Sequence, residues 1–397
     1  MSAIETTARS LGNNVDNLRR HNLSTLLGIV HRDGPASRSR LTKLTELNRS
    51  TIAALVGELV TLGLAREVQP EGSRTAGRPS PIVVANEKVV AFAVNPEINA
   101  ITVGAVGLGG VVLDRVRMHT GNTPSVVEAV ALATTEIKRM RSRLRKDVRV
   151  VGVGVALPGL VRREDGVVRL APHLGWIDEP FSGRLSDAVG LPVSTANDAS
   201  VGATAESRFG AGRGVRDLVY LNGGASGIGG GVIVEGRPLT GVTGYAGELG
   251  HTLVNSAGIL CHCGATGCLE TEVTQSRLLD VLGLDDPEMD ELDHAIAVSE
   301  SPEVRDEIDR QLTFLAVTLR NAVNIFNPRL IVLGGFLGAL FEASPGTIER
   351  AIAEQTLAGP GDCVEVVRAQ LRSRLLMIGA AELAFAALLA DPASSAT

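Results

Sequence analysis

A chain of 397 residues, 44% hydrophobic but only 3% aromatic, is long enough for two or three domains with sizeable cores. It has four cysteines, three of them within residues 261–268, which excludes a disulfide framework and points to a metal site in a reducing compartment. The sequence shows neither a signal-peptide core nor an apolar run of membrane-span length free of charges, so the expectation is a cytoplasmic protein with no membrane partner.

The net charge of −6 is unevenly spread: residues 1–84 hold 11 Lys/Arg against 7 Asp/Glu, the remainder 27 against 37. A basic head on an acidic body points to a polyanion partner for the head. Residues 1–12 are polar and expected to fray. From Val15, the positions Leu18, Leu23, Leu26, Leu27 and Val30 approximate one helical face that ends near Gly34-Pro35. Ser37 is a cap for a short second helix carrying Leu41 and Leu44. After a turn at 46–48, Ile52, Leu55, Val56, Leu59 and Val60 define a third helix, stopped at Gly63.

Two short helices across a tight turn form a helix-turn-helix pattern, and the leading edge of the second is Asn48, Arg49, Ser50 and Thr51. These polar side chains suit base edges or phosphates, while Ser37, Arg38, Arg40 and Lys43 are placed for phosphates or solvent. Strands at 65–69 and 82–85 read as a wing whose loop carries Arg74 and Arg78. Pro79 biases Arg78 toward extended backbone, a presentation that fits a narrow minor groove. The plainer alternative is a three-helix module with solvated arginines.

In the body, 88–94, 99–106 and 111–118 read as three adjacent strands. Thr123, with Pro124 at the first position, is the expected cap of a helix to Arg143. Residues 150–157 and 191–195 are further strands, and Asn197-Asp198 stands at the carboxyl end of the second, the ligand position in an α/β layer. Asp198 as a simple helix cap is the alternative. The loop 222–231 is rich in glycine and is either a cradle for an anion or hydroxylated ligand, with Ser226, or a hairpin turn. Glu248 and His251 are three apart and able to face one cavity. Residues 284–300 read as an acidic loop, 303–326 as a long helix, 330–333 and 364–367 as strands, 371–389 as a closing helix, and 391–397 as a disordered tail.

Cys261-x-Cys263-x4-Cys268, with His251 ten residues upstream, offers three thiolates and one imidazole, a full tetrahedral set for one structural Zn²⁺. His262, between two ligands, is expected to point away, and Cys363 to be buried alone. The clasp ties Glu270 to His251. Three buried free cysteines are the alternative.

The segments Asn197-Asp198, 225–231, 246–251, 261–270 and 327–335 resemble the ROK family of repressors and sugar kinases, and the Cys-x-Cys-Gly-x-x-Gly-Cys-x-Glu run is the most specific of them. The resemblance implies an α/β protein with a two-lobed actin-like ATPase (ribonuclease H-like) fold. The head is similar to the winged helix-turn-helix of the family's repressor branch. Domains are then expected at 1–84 (head), 85–200 (first lobe, with helix 371–390 packing back on it) and 201–370 (second lobe). It further implies that Asn197, Asp198, Glu248, His251 and Glu270 hold a sugar, with Asp198 matching the kinases' base. His173 stands where the family usually has a sugar-contacting asparagine.

Kinase members need an early Asp-x-Gly-Gly-Thr turn, where this chain has Asn95-Pro96-Glu97-Ile98-Asn99. Pro96 has no N–H to offer phosphate and Glu97 repels it. The expectation is a sugar- or sugar-phosphate-responsive regulator without turnover, a homodimer or dimer of dimers on a palindromic double-stranded operator. The alternative is an ATP-dependent sugar kinase.

Overall fold

The computed structural model describes residues 15–69, 80–285 and 287–396. The chain divides into a head unit of residues 1–89, 107–109 and 385–397 and a body unit of residues 90–106 and 110–384.

In the head, α1 (Val15–Arg32) buries Leu23, Leu26, Leu27 and Val30. β1 (Ala36–Ser37) leads into α2 (Arg38–Thr45), where the Ser37 hydroxyl accepts from the Arg40 N–H at 3.1 Å. Asn48 caps α3 (Arg49–Thr61) by accepting from the Thr51 N–H at 2.8 Å. Ile52, Leu55, Val56 and Leu59 form its buried stripe. β2 (Ala65–Val68) and β3 (Ile82–Ala85) pair antiparallel, and β1 completes a sheet in the order β1-β3-β2. Three helices followed by this hairpin make a winged helix-turn-helix. The wing loop with Arg74 and Arg78, and the expected frayed start, lie outside the described residues.

Three apolar positions expected on buried faces are exposed instead: Leu18, Leu44 and Val60. Leu44 sits three residues beyond Leu41, about 60° short of a full helical turn, and that rotation carries it off the narrow contact made by the two-turn α2. The chain's last residues belong to the head. Ser24 Oγ donates to the Leu389 carbonyl at 2.6 Å, and Arg20 pairs with Asp391 at 2.7 Å. Pro392–Ala396 is a 3-10 turn, so the tail expected to be disordered from Asp391 is structured as far as residue 396.

In the body, β4 (Val89–Pro96), β5 (Ala100–Gly107) and β6 (Val111–His119) are neighbours, and β4 and β5 are buried throughout. α4 (Val126–Arg143) is capped by Ser125 and not by Thr123. The Ser125 hydroxyl accepts from the Glu128 N–H at 3.3 Å, and the Glu128 carboxylate accepts from the Ser125 N–H at 2.9 Å. Thr123, two residues earlier, has no Glu at the reciprocal position. Ser125→Ala is therefore expected to lower stability by about 1 kcal/mol, measurable as a melting shift of about 2–4 °C.

The chain continues through β7 (Arg149–Leu157), β8 (Leu160–Val161), β9 (Val168–Ala171), β10 (Trp176–Glu179), α5 (Phe181–Val189), β11 (Val193–Asn197) and α6 (Asp198–Phe209). The lone tryptophan, Trp176, is buried and donates its indole N–H to the Pro124 carbonyl at 3.0 Å. After α6 come β12 (Leu218–Gly224), β13 (Gly227–Val234), β14 (Arg237–Pro238), α7 (Leu269–Glu272), α8 (Gln275–Leu282), α9 (Met289–Val298) and α10 (Pro302–Phe326). The expected acidic loop at 284–300 is thus partly α9, whose Leu292 and Ile296, four apart, are buried. Last are β15 (Leu330–Gly335), α11 (Phe336–Ala343), α12 (Pro345–Gln355), β16 (Glu365–Arg368) and α13 (Leu375–Ala390).

Two five-stranded sheets result, ordered β11-β7-β4-β5-β6 and β14-β13-β12-β15-β16. Numbered within each sheet and read from β6 in the first and from β14 in the second, both run third, second, first, fourth, fifth. Two α/β lobes with one strand order are the architecture of actin-like ATPases. The body part of α13 packs against both sheets and not the first alone. Leu375 and Ile378 join the core of Tyr220 and Val332, while a side chain at Gly154 of β7 would strike the Ala380 backbone. Residues 372–390 form the one helix among those described that is long and apolar enough to cross a membrane. Half of it is buried and Glu382 pairs with Arg208, as in a core helix.

Candidate functional site

β7 and β11 run parallel with Leu157 opposite Asn197, so the segments that leave them emerge at one end of the first sheet. There Asn197 caps α6, its Oδ1 accepting from the Ser200 N–H at 3.0 Å, and its Nδ2 donates to the Gly159 carbonyl at 3.1 Å. The cap role considered for Asp198 thus falls to its neighbour. Asp198 Oδ1 accepts from the Ala199 N–H at 2.8 Å, and burial holds its carboxyl above the ordinary carboxylate range.

From the second sheet, the glycine loop is a tight hairpin with Gly224 opposite Gly227. A Cβ at Gly229 or Gly231 would lie 2.6 Å from that of Ala199 or Ala203. These two glycines let α6 close on β13, while Ser226 and Gly227 at the tip of the hairpin line the cavity. Asn197, Asp198, Glu248, His251, Glu270 and His173 all line one cavity of about 330 Å³. Burial raises the Glu248 carboxyl and lowers the His173 imidazole. Asn222, Ser226 and His262 line it too. A cavity with carboxylates, amides and imidazoles on its wall presents many acceptors and donors to a polyhydroxylated ligand.

His262 lies outside the four-residue donor set, as expected for a residue between two ligands, and its Nδ1 lies 3.0 Å from Glu270 Oε1. A residue between two converging thiols points out of the clasp, and the cavity lies on that side. The signal was present in the sequence, since Glu270 follows Cys268 by two residues and Cys268 begins the helix that carries it.

His251, Cys261, Cys263 and Cys268 bring their ligand atoms within 4.8 Å of one another. Cys263 Sγ is 3.6 Å from Cys268 Sγ, and Cys261 Sγ is 3.7 Å from His251 Nδ1. Tetrahedral coordination with Zn–S near 2.3 Å spaces sulfurs by roughly 3.7 Å, so these residues fit a metal ion. Burial raises the thiols of Cys261 and Cys268, while the Ala265 N–H lowers that of Cys263. A dication supplies the charge that would hold the buried pair as thiolates. Cys363, expected to be buried, is exposed.

The turn at 95–99 is held by side chains of the neighbouring strands β5 and β6. Glu97 accepts from Thr102 Oγ1 at 2.6 Å and from Arg117 Nε at 2.8 Å, and Arg117 also donates to Asn99 Oδ1 at 3.0 Å. A cavity of about 540 Å³ beside it is lined by Asn95, Glu97, Gly334, Gly335, Arg368 and Arg372. Two of the arginines that line it are engaged, Arg368 with Asp293 at 2.7 Å and with Glu342, and Arg372 with Asp290 at 2.8 Å, while Arg115, also on its wall, is exposed and makes no ion pair among the described residues.

On the head, Ser37 and Asn48 spend their side-chain oxygens on caps, and Ser50 Oγ donates to Asn48 at 2.7 Å. Arg38 pairs with Glu67 of β2 through contacts of 2.5 and 2.6 Å. Thr51 is half-buried. Arg49 is exposed at the start of α3 and makes no ion pair among the described residues.

The sequence profile of the ROK family matches residues 97–387. A xylose repressor of Caldicellulosiruptor bescii is 27% identical over 390 residues, 90% of this chain and 93% of that protein. A glucokinase of Streptomyces coelicolor is 29% identical over 305 residues, 72% of this chain and 94% of the kinase. A solved ROK family transcriptional regulator, a homolog of the E. coli MLC protein, superposes with a TM-score of 0.77 at 26% identity, covering 94% of this chain and 98% of that one. The relatives thus include repressors and kinases, and the repressors match more of this chain. A profile match across most of the body, on a paired-sheet architecture with this cysteine clasp, places the chain in the ROK family.

Proposed function

We propose that this protein is a transcriptional repressor released from DNA by a sugar. The observation that carries the reading is a conjunction in one chain. A winged helix-turn-helix head accompanies a cavity lined by Asn197, Asp198, Glu248, His251 and Glu270, while the turn at 95–99 is closed by Glu97. Phosphoryl transfer depends on backbone donors and Mg²⁺ aimed at the phosphates. Here Pro96 has no N–H, Glu97 is acidic, and two of the three nearby arginines, Arg368 and Arg372, are paired with carboxylates. The xylose repressor's match over 90% of the chain supports the same reading.

The body would hold one structural Zn²⁺ through His251, Cys261, Cys263 and Cys268, bracing the loops that carry His251 and Glu270. Asp198, Asn197 and Glu248 would bind sugar hydroxyls. The head would read a palindromic operator as a homodimer or dimer of dimers in the cytoplasm, with Arg49 at the base edges and Arg78 in the minor groove. Sugar lowers DNA affinity if it binds more tightly to the arrangement that cannot dock.

Gel-shift titration of the intact protein against its own promoter region tests this. A specific complex should form and dissociate on addition of a sugar. Arg49→Ala should weaken that complex by ~1–3 kcal/mol, about 5–150-fold, with sugar binding unchanged. Absence of any specific complex would sink the repressor reading. The kinase alternative, favoured by the glucokinase match, predicts sugar-dependent ATP consumption that Asp198→Asn abolishes.

A further inference from the structure

The ligand cavity has a neighbour. A second cavity of about 310 Å³ adjoins it, and His173, Ser226, Gly227, His262 and Glu270 line both. Their chemistry differs. Asn197, Asp198 and Glu248 belong to the first cavity alone. The second is lined by Thr271, Thr274, Gln275 and Ser276 together with the apolar Val273 and Leu279. Neutral hydroxyls and an amide among apolar side chains suit a sugar ring, which carries hydroxyls around its edge and C–H groups on its faces.

At the shared boundary, His173 and His262 stand edge to face, with ring centroids 5.8 Å apart. Neither cavity is lined by Lys or Arg among the described residues, and Glu270 faces both. A phosphate there would lose hydration and gain no cation. At about 330 Å³ the first cavity is at the small end of ligand pockets, which run roughly 300–1,000 Å³, so only a small ligand is fully housed in it.

Building on the sugar-binding reading, we propose that the effector is a neutral oligosaccharide of two or more units. One unit is held by Asn197, Asp198 and Glu248. The next extends past His173 and His262, away from Asp198, into the Thr271–Ser276 annex. This sets the protein apart from a sensor of free monosaccharides or sugar phosphates.

Calorimetric titration of the full-length protein separates these ligands. The probes are xylose, glucose and N-acetylglucosamine, the matched disaccharides xylobiose, cellobiose, maltose and diacetylchitobiose, and glucose 6-phosphate. At least one disaccharide should bind about tenfold or more tightly than its own monosaccharide, the yield of one or two added hydrogen bonds. Ser276→Trp, at an exposed position of α8, should fill the annex. It should remove that advantage while leaving monosaccharide affinity and the melting temperature as they were. The proposal is overturned if monosaccharides bind and no disaccharide improves on them, if Ser276→Trp leaves disaccharide affinity intact, or if the 6-phosphate binds tightest. Failure of every carbohydrate to bind would overturn the sugar-sensing reading itself, a different result from the other three.

Discussion

Cys268→Ser is expected to release the metal ion and to lower the melting temperature by on the order of 10 °C. The thiol is buried, 3.6 Å from Cys263 Sγ, at the cap position of α7. Losing a structural metal is among the few single changes that cost on the order of 4 kcal/mol or more, and each kcal/mol moves the melting point by about 2–4 °C in a domain of this size. The loss should not stop at stability. Glu270 lies on α7, and His251 is itself in the donor set, so sugar affinity should fall with metal content while the head keeps its own fold. Metal analysis, thermal melting and sugar titration on one preparation check this. Equal zinc content in parent and variant would refute the clasp, as would a protein indifferent to chelators. Cys363→Ser, altering an exposed cysteine away from the clasp, is the control and should change none of these readouts.

The second large effect is a separation of stability from binding at Asp198. Burial raises this carboxyl's pKa above its unfolded value near 3.8. A group shifted in that direction stabilises the fold fully below the unfolded pKa, and the contribution disappears as pH rises through the folded pKa. The ionised form at neutral pH is therefore a burden on the ligand-free protein. Asp198→Asn should melt higher than the parent near pH 7, and the gap should narrow on acidification. Sugar affinity should move the other way, falling by about 1.5–3 kcal/mol, the range for a hydrogen bond to a charged group. A variant that melts lower at neutral pH, or that binds sugar as well as the parent, contradicts this account. Destabilisation traded for ligand recognition is the ordinary mark of a binding residue.

Local patterns carried much of this. The stripe from Ile52 to Leu59 specifies α3 because helical period and burial coincide there. Ser37 and Asn48 announce caps that the backbone uses. The spacing of Cys261, Cys263 and Cys268 implies a clasp because two glycines between them permit the turn, and both adopt positive φ, 92° at Gly264 and 75° at Gly267. The site residues from Asn197 to Glu270 meet in one cavity. Their chemistry is legible in sequence because each adjoins a strand end, a cap or the clasp.

Local reading failed where a partner lies far along the chain. Arg38 looks like a free cation beside DNA until Glu67, 29 residues on, pairs with it. Acidic composition hid α9 because only Leu292 and Ile296, one turn apart, are committed to the core. The glycines of 222–231 read only as a ligand cradle or a hairpin turn, and it is the approach of Ala199 and Ala203 that shows Gly229 and Gly231 admit a helix.

The sequence by itself determined the helices and caps of the head, the cysteine spacing of the clasp and the residue types of the ligand wall, because each was read within a short segment, where spacing dictates local geometry. The matching strand orders of the two sheets, the turn of His262 toward Glu270 and the annex beside the cavity were decided by the tertiary structure. The strand orders and the annex depend on packing between segments separated by tens of residues, and even the eight-residue step from His262 to Glu270 has no periodicity that encodes which surfaces will meet.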